Sequence, residues 1–333
     1  MSKFDLETIP RINHCLLPTP LVPMERLTEH LGKARIFVKR DDLTGVAFGG
    51  NKNRKLEFLL ADALLKSSDV IITEGALTSN HCLQTAACAA RSGLDCILVL
   101  SDSAIGEKIT GNLLLDQILD ANIHRVKSSE DRKSAMEAIA EDLLKEGKQP
   151  YIIPTGGSNE IGAIGYILCI NEIGIQSTTL NVAFDYFVHP TGSAGTQAGT
   201  IIGKKLYYPD MEIIGISVGD GKQGIISEIK KIISNFEKNW ELNLGTTNED
   251  IIILEDYFGE GYGVPSKEMI DAVKLVAKLE GIFLDPIYNG KAMVGLIDLI
   301  TREEIPSDSN VLFLHSGGGP AIFSYDKVFG KKL

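Results

Sequence analysis

Val70-Ile71-Ile72-Thr73-Glu74-Gly75-Ala76-Leu77-Thr78-Ser79-Asn80-His81 runs directly into Cys82-Leu83-Gln84-Thr85-Ala86-Ala87-Cys88-Ala89-Ala90-Arg91-Ser92. The first four residues are all β-branched and carry apolar side chains on both faces, the pattern of a buried strand. Beyond the polar turn, Asn80–Ser92 places Leu83, Ala86, Ala87 and Ala90 on one helical stripe. A buried strand, a short polar turn and a helix in that order form the opening half of a βαβ crossover, so the fold class is α/β with parallel strands.

The same alternation extends in both directions. Further strands are expected at Ile36–Lys39, Cys96–Leu100, His124–Val126, Tyr151–Ile153, Val182–Val188, Glu212–Val218, Ile251–Leu254 and Val311–His315. Helices are expected at Lys52–Lys66, Gln223–Asn239 and Ser266–Glu280, the last stopped by Gly281. A chain of 333 residues exceeds one ordinary core and suits two lobes with a cleft between them, although no linker or internal repeat marks a boundary.

Composition narrows the functions. The formal net charge is -11, and the Lys-Lys pairs beginning at Lys204, Lys230 and Lys331 are isolated, which argues against binding nucleic acid or anionic lipid. Met1 to Pro10 is polar, and no apolar run approaches the roughly 18 residues a membrane span needs, so a cytoplasmic protein is expected. Five cysteines without a CxxC pair read as buried free thiols. Six histidines without HxH or HxxxH spacing give no support to a metal site.

Six segments carry chemistry. Phe48-Gly49-Gly50-Asn51-Lys52-Asn53-Arg54-Lys55-Leu56-Glu57 sets two glycines before a lysine at a helix start. Lys52 beside Arg54 and Lys55 would have lowered basicity and so a free amine for imine formation, while a glycine turn with a solvated basic helix start would look the same. Thr78-Ser79-Asn80 supplies more hydroxyl and amide groups than one helix cap needs, and Ser79 with the helix N–H groups suits a carboxylate. His81 reads as a ring packed on the helix start or as a proton carrier.

After the strand Val182–Val188, His189-Pro190-Thr191-Gly192-Ser193-Ala194-Gly195-Thr196-Gln197-Ala198-Gly199 forms a hydroxyl-lined turn suited to a monophosphate. It lacks the GxGxxG dinucleotide spacing, and tight helix packing is the plainer alternative. Tyr262 stands among glycines in Gly259–Val264, and Tyr288 precedes another helix. Ser316-Gly317-Gly318-Gly319 closes the last strand at its carboxyl end, where a ligand's ring nitrogen could meet Ser316.

In this order, and with Pro18-Thr19-Pro20-Leu21 and Val38-Lys39-Arg40-Asp41-Asp42 ahead of them, these elements resemble the D-cysteine desulfhydrase and 1-aminocyclopropane-1-carboxylate (ACC) deaminase family. GGNKxRKLE is its most specific motif, and the likeness covers nearly the whole chain. The resemblance implies a tryptophan-synthase-β-like fold of two lobes, each an open, mostly parallel twisted sheet flanked by helices. Residues 1–49 and 162–333 would form the larger lobe and 50–161 the smaller inserted one.

It also implies pyridoxal 5′-phosphate (PLP) as cofactor, with Lys52 as Schiff-base lysine. Asn80 would meet the cofactor's 3′-oxygen, Gly192, Ser193, Ala194, Gly195 and Thr196 its phosphate, and Ser316 its ring nitrogen. Ser79, Tyr262 and Tyr288 would meet a small amino-acid substrate, and the protein would be a homodimer. The implied reaction is β-elimination from D-cysteine to pyruvate, sulfide and ammonia. ACC deamination, L-cysteate sulfo-lysis, or lysis of D-serine or β-chloroalanine would be close relatives, and a non-catalytic ligand-binding protein is the rival of another class. Where similar deaminases carry glutamate after the tyrosine, near the ring nitrogen, this chain has the neutral Asn289; where they carry Gln after Asn80, it has His81. Both departures favour the desulfhydrase branch.

Overall fold

The computed structural model describes residues 4–102, 108–219 and 221–330. The Lys331 pair and the first three residues of the polar N-terminal stretch lie outside them.

Ten strands among the described residues form two sheets. The strands are β1 (Leu21–Pro23), β2 (Arg35–Arg40), β3 (Val70–Ala76), β4 (Asp95–Ser101), β5 (Asn122–Val126), β6 (Pro150–Ile152), β7 (Tyr186–Thr191), β8 (Glu212–Ser217), β9 (Ile252–Leu254) and β10 (Asn310–His315). One sheet has the order β1-β2-β10-β7-β8-β9 and the other β5-β4-β3-β6. Every pairing is parallel except β1 with β2. All nine strands expected from sequence are present with ends shifted by up to four residues. The short edge strand β1 ends in a proline, which an edge tolerates because no inner ladder bond is lost.

Each sheet has its own apolar layers. Phe187, Ile213 and Leu312 join helix residues such as Ile164, Ile167 and Ile201 on one face of the larger sheet, and Val188, Ile214, Val311 and Phe313 meet Met293 and Leu296 on the other. Around the smaller sheet, Leu56, Leu59, Leu60 and Ala63 pack with Ile71 and Ile153.

Two helices set the join. Helix Asn51–Leu65 gives that stripe to the small sheet while Phe58, on its other side, enters the core of the large one. Helix Glu160–Leu180 is apolar around its circumference and so shows no stripe in sequence; its other neighbours bury it. Its glycine seam decides how closely it packs. A Cβ on Gly165 would fall 2.4 Å from the Arg54 carbonyl oxygen, and one on Gly199 of the neighbouring helix 2.3 Å from that of Ala163.

A buried ionic cluster fixes the same join. Arg54 gives Nε to Asp41 Oδ2 (2.8 Å), Nη1 to Glu172 Oε2 (3.0 Å) and Nη2 to Thr19 Oγ1 (2.9 Å), and Tyr166 Oη donates to Asp41 Oδ2 (2.7 Å). Lys39 donates to Glu172 and to the Thr19 carbonyl oxygen. Arg54, Asp41, Lys39 and Thr19 are all fully buried. The Pro18–Leu21 and Val38–Asp42 segments therefore hold the helix that starts at Asn51 rather than a ligand.

Candidate active site

The loop before Lys52 is held in a path that only its glycines allow. Gly49 and Gly50 have φ of 74° and 143°. A Cβ on Gly49 would fall 1.9 Å from the Asp42 carbonyl oxygen. Gly50 bridges Gly317 of the far loop, and Asn51 N donates to the Ser316 carbonyl oxygen (2.9 Å). Lys52, second residue of the helix, is thereby set against the carboxyl end of β10.

The strand ends converge there. A small cavity of about 30 Å³ is lined by Asn51, Lys52, Asn80, Thr191, Gly192, Ser193, Ala194, Thr196, Tyr288 and Ser316 among others. A cleft of about 990 Å³ shares Lys52, Gly192, Ser193 and Tyr288 with it and adds Ser79, His81, Arg132 and Tyr262. Of the eleven residues that the resemblance assigns to cofactor or substrate, Gly195 alone lines neither space; a Cβ there would lie 2.9 Å from Lys55 Nζ.

Burial pushes the Lys52 amine down to about 8, and no carboxylate among the described residues lies within ion-pair distance. The expected contribution of neighbouring cations is corrected by the geometry. Arg54 turns away into its own ion pairs, and Lys55 donates to the Gly156 carbonyl oxygen (3.1 Å). Lys55 is itself pushed well down, first by burial and then by Lys52. Arg54 and Lys55 are both fully buried, so the helix start is not a solvated basic turn.

The turn after β7 is braced from outside. Ser158 Oγ donates to Ser193 Oγ (2.9 Å) and accepts from Gly195 N (3.2 Å), while Asn51 Nδ2 donates to Thr196 Oγ1 (3.1 Å). Ala194 takes φ 67°, and Gly195 starts the next helix. Thr191 Oγ1 is buried and has no partner among the described residues. Asn51, Lys55, Ser158 and Thr191 are members of this wall given no role from sequence; Asn51, Lys55 and Thr191 lie within the quoted segments, and Ser158 alone left no signal.

On the small-sheet side, Ser79 Oγ accepts from Cys82 N (3.2 Å) and so caps its helix, leaving its own proton to give. Asn80 Oδ1 accepts from Asn112 Nδ2 (2.7 Å), which orients its amide N–H₂ away from Asn112. His81 contacts Thr73 Oγ1 through Nε2 (2.8 Å) and Thr85 Oγ1 through Nδ1 (3.5 Å); burial, then Lys52 and Lys55, push it well below its usual value. The ring is packed at the helix start, as one of the two readings of the sequence had it.

Tyr262 Oη and Tyr288 Oη lie 2.7 Å apart. Behind them, Asp285 accepts from Ile287 N, Tyr288 N and Asn289 N at 2.9–3.0 Å. Asn289 Nδ2 donates to Asp285 Oδ1 and the Gly317 carbonyl oxygen, and its Oδ1 accepts from Ser316 N and Oγ. Asn289 is not among the residues lining the cavity and reaches its wall through the Ser316 bonds.

A family model for pyridoxal-phosphate dependent enzymes matches residues 12–317. The chain belongs to that family. Its cofactor is accordingly PLP. A crystal structure of an ACC deaminase homologue is 39% identical and superposes with a TM-score of 0.89 over 97% of this chain and 96% of that chain. O-ureido-L-serine synthase (17% identity, TM-score 0.67, 99% of this chain and 96% of that chain) shares the fold. So does the processed form of threonine deaminase isoform 2 from Solanum lycopersicum (17% identity, TM-score 0.66, 91% of this chain and 80% of that chain). Among the described residues, no helix is long and apolar enough to cross a membrane.

Proposed function

We propose that this PLP enzyme is a cytoplasmic, homodimeric carbon–sulfur lyase of the D-cysteine desulfhydrase type, converting D-cysteine and water to pyruvate, sulfide and ammonia. The observation that carries the reading is Lys52: a buried amine with depressed basicity, opening on the same cleft as the Tyr262–Tyr288 pair. Residues 1–49 with 162–333 form the cofactor-holding lobe of the proposal, and 50–161 the smaller one.

The side chains suit the cofactor. Lys52 would carry its aldehyde, and Gly192 to Thr196, with Lys55 behind Gly195, would take its phosphate. Asn80, whose Oδ1 is engaged by Asn112, would offer its amide N–H₂ to the 3′-oxygen, and Ser316, which lines the same cavity, would meet the ring nitrogen. The orphaned Thr191 hydroxyl is the fit test, since a buried hydroxyl without a partner costs about 1–3 kcal/mol and lines the wall where the cofactor would satisfy it. Thr191→Val is expected to leave the apoenzyme as stable or on the order of 1 kcal/mol more stable, while weakening PLP about five- to tenfold. Thermal melts of the apoenzyme and PLP titration followed by absorbance check both halves.

When bound, PLP supplies an electron sink for charge developing at the substrate's α-carbon. Lys52, as the free amine, takes the α-proton. Ser79 and the N–H groups of the helix it caps hold the carboxylate. The Tyr262–Tyr288 pair lines the same cleft as Lys52 and would protonate or orient the departing thiolate.

ACC deamination is the second reading, favoured by the 39% identical neighbour. ACC has no α-proton, so there a tyrosine or Lys52 would have to assist ring opening. The purified enzyme with D-cysteine, L-cysteine, L-cysteate and ACC, scored for sulfide, sulfite and 2-oxo acid, tests the choice. Sulfide and pyruvate from D-cysteine are expected; 2-oxobutanoate from ACC without sulfide from D-cysteine would replace the first reading by the second, and sulfite from L-cysteate would point to a sulfo-lyase.

A further inference from the structure

Tyr262 stands in a glycine-rich turn closed by one local hydrogen bond, from Val264 N to the Gly261 carbonyl oxygen (3.2 Å). Gly259, Gly261 and Gly263 take φ of 69°, 148° and 73°, and holding one hydroxyl 2.7 Å from another on such a run calls for further bonds. Two buried side chains supply them, one on each side of the tyrosine. Lys291 Nζ donates to the Gly261 carbonyl oxygen (2.6 Å) and to that of Val218 (3.3 Å), and Tyr325 Oη donates to the Gly263 carbonyl oxygen (2.6 Å). Lys291 is fully buried, and Tyr325 is 2% exposed.

Lys291 also joins the three segments that meet at the tyrosine pair. It lies three residues after Tyr288, in the first turn of helix Asn289–Thr301. Val218 follows β8, and the next residue, Gly219, leaves so little room that a Cβ there would fall 2.6 Å from Tyr262 N. Among the described residues, no carboxylate lies within ion-pair distance of Lys291. Burial pushes its amine down to about 8, partly offset by Asp285. A buried amine served only by carbonyl groups is a costly way to fill space, and an apolar chain of equal length would fill it more cheaply. What the amine adds is the two hydrogen bonds.

We propose that Lys291 is a positioning residue that fixes Tyr262 against Tyr288 by pinning the Gly261 carbonyl to the end of β8, with Tyr325 as the second pin. The inference rests on the reading that the tyrosine pair meets the substrate, and its test separates the two.

The holoenzyme is labelled with 3-fluorotyrosine at all nine tyrosines, and the fluorine signal lost in Tyr262→Phe is assigned to that ring. Lys291→Met keeps the length and removes the donor. The expected result is a shifted or broadened Tyr262 signal, a fall in kcat of about tenfold or more, and PLP affinity within about twofold of the parent. Tyr325→Phe, which removes one oxygen only, is expected to move the same signal and covers the case in which Lys291→Met does not fold. An unmoved Tyr262 signal in the folded variants overturns the inference, whatever happens to turnover. A moved signal with unchanged turnover upholds the positioning role and overturns the reading that the pair meets the substrate.

Discussion

Lys52→Ala is expected to lower turnover at least about 10⁴-fold, because it removes the cofactor's anchor and the general base together. The two other buried lysines nearby offer no replacement: Lys55 Nζ is held by the Gly156 carbonyl oxygen, and Lys291 Nζ by those of Gly261 and Val218. The fold should persist, since Lys52 makes no ion pair among the described residues and burial already opposes its charge. Circular dichroism and melting check the fold. Borohydride fixation followed by peptide mapping should find the label on Lys52 in the parent and none in the variant. Retained activity would move the role to Lys55. A pH dependence follows from the same cause. Since the neutral amine reacts, PLP uptake by the apoenzyme should quicken as pH rises through about 8 and level off above it, as stopped-flow absorbance would show.

Arg54→Met is expected to cost about 3–5 kcal/mol, with a melting point lower by on the order of 5–10 °C. It leaves the carboxyl groups of Asp41 and Glu172 buried without their guanidinium partner. Burial alone would raise both; Arg54 overrides it and holds both below the ordinary carboxylate range. The sign of the pH effect is then fixed. Carboxyl groups depressed in the folded state contribute stability that is fully present above their unfolded values, near pH 4, and is lost as pH falls through the folded ones. The gap between parent and variant should therefore be widest near neutrality and narrow below about pH 4. Denaturant melts at a series of pH values measure it, and a gap independent of pH would mean that the cluster stabilises by packing alone.

The strands and the parallel connectivity were legible in the chain itself, and Lys52 stood out through the resemblance carried by GGNKxRKLE. Val70–Thr73 and Val311–His315 are apolar on both faces, a pattern that a two-sided buried strand imposes locally and that needs no knowledge of neighbours. Helix Glu160–Leu180 was not, because a helix buried all round has no polar face to give it a period.

The site divides along the same line. Gly49 and Gly50 stand together because one turn demands both, and Lys52 follows in the first turn of the helix they lead into, so this stretch was legible in sequence. Ser158 and Lys291 reach the site from segments distant in the chain, and Arg54, whose charge read as part of the lysine's environment, belongs to Asp41 and Glu172 instead. Local sequence fixes what the backbone can do over a turn, whereas the partner of a buried polar group is chosen by desolvation and packing, and those exist only once the lobes have closed on each other.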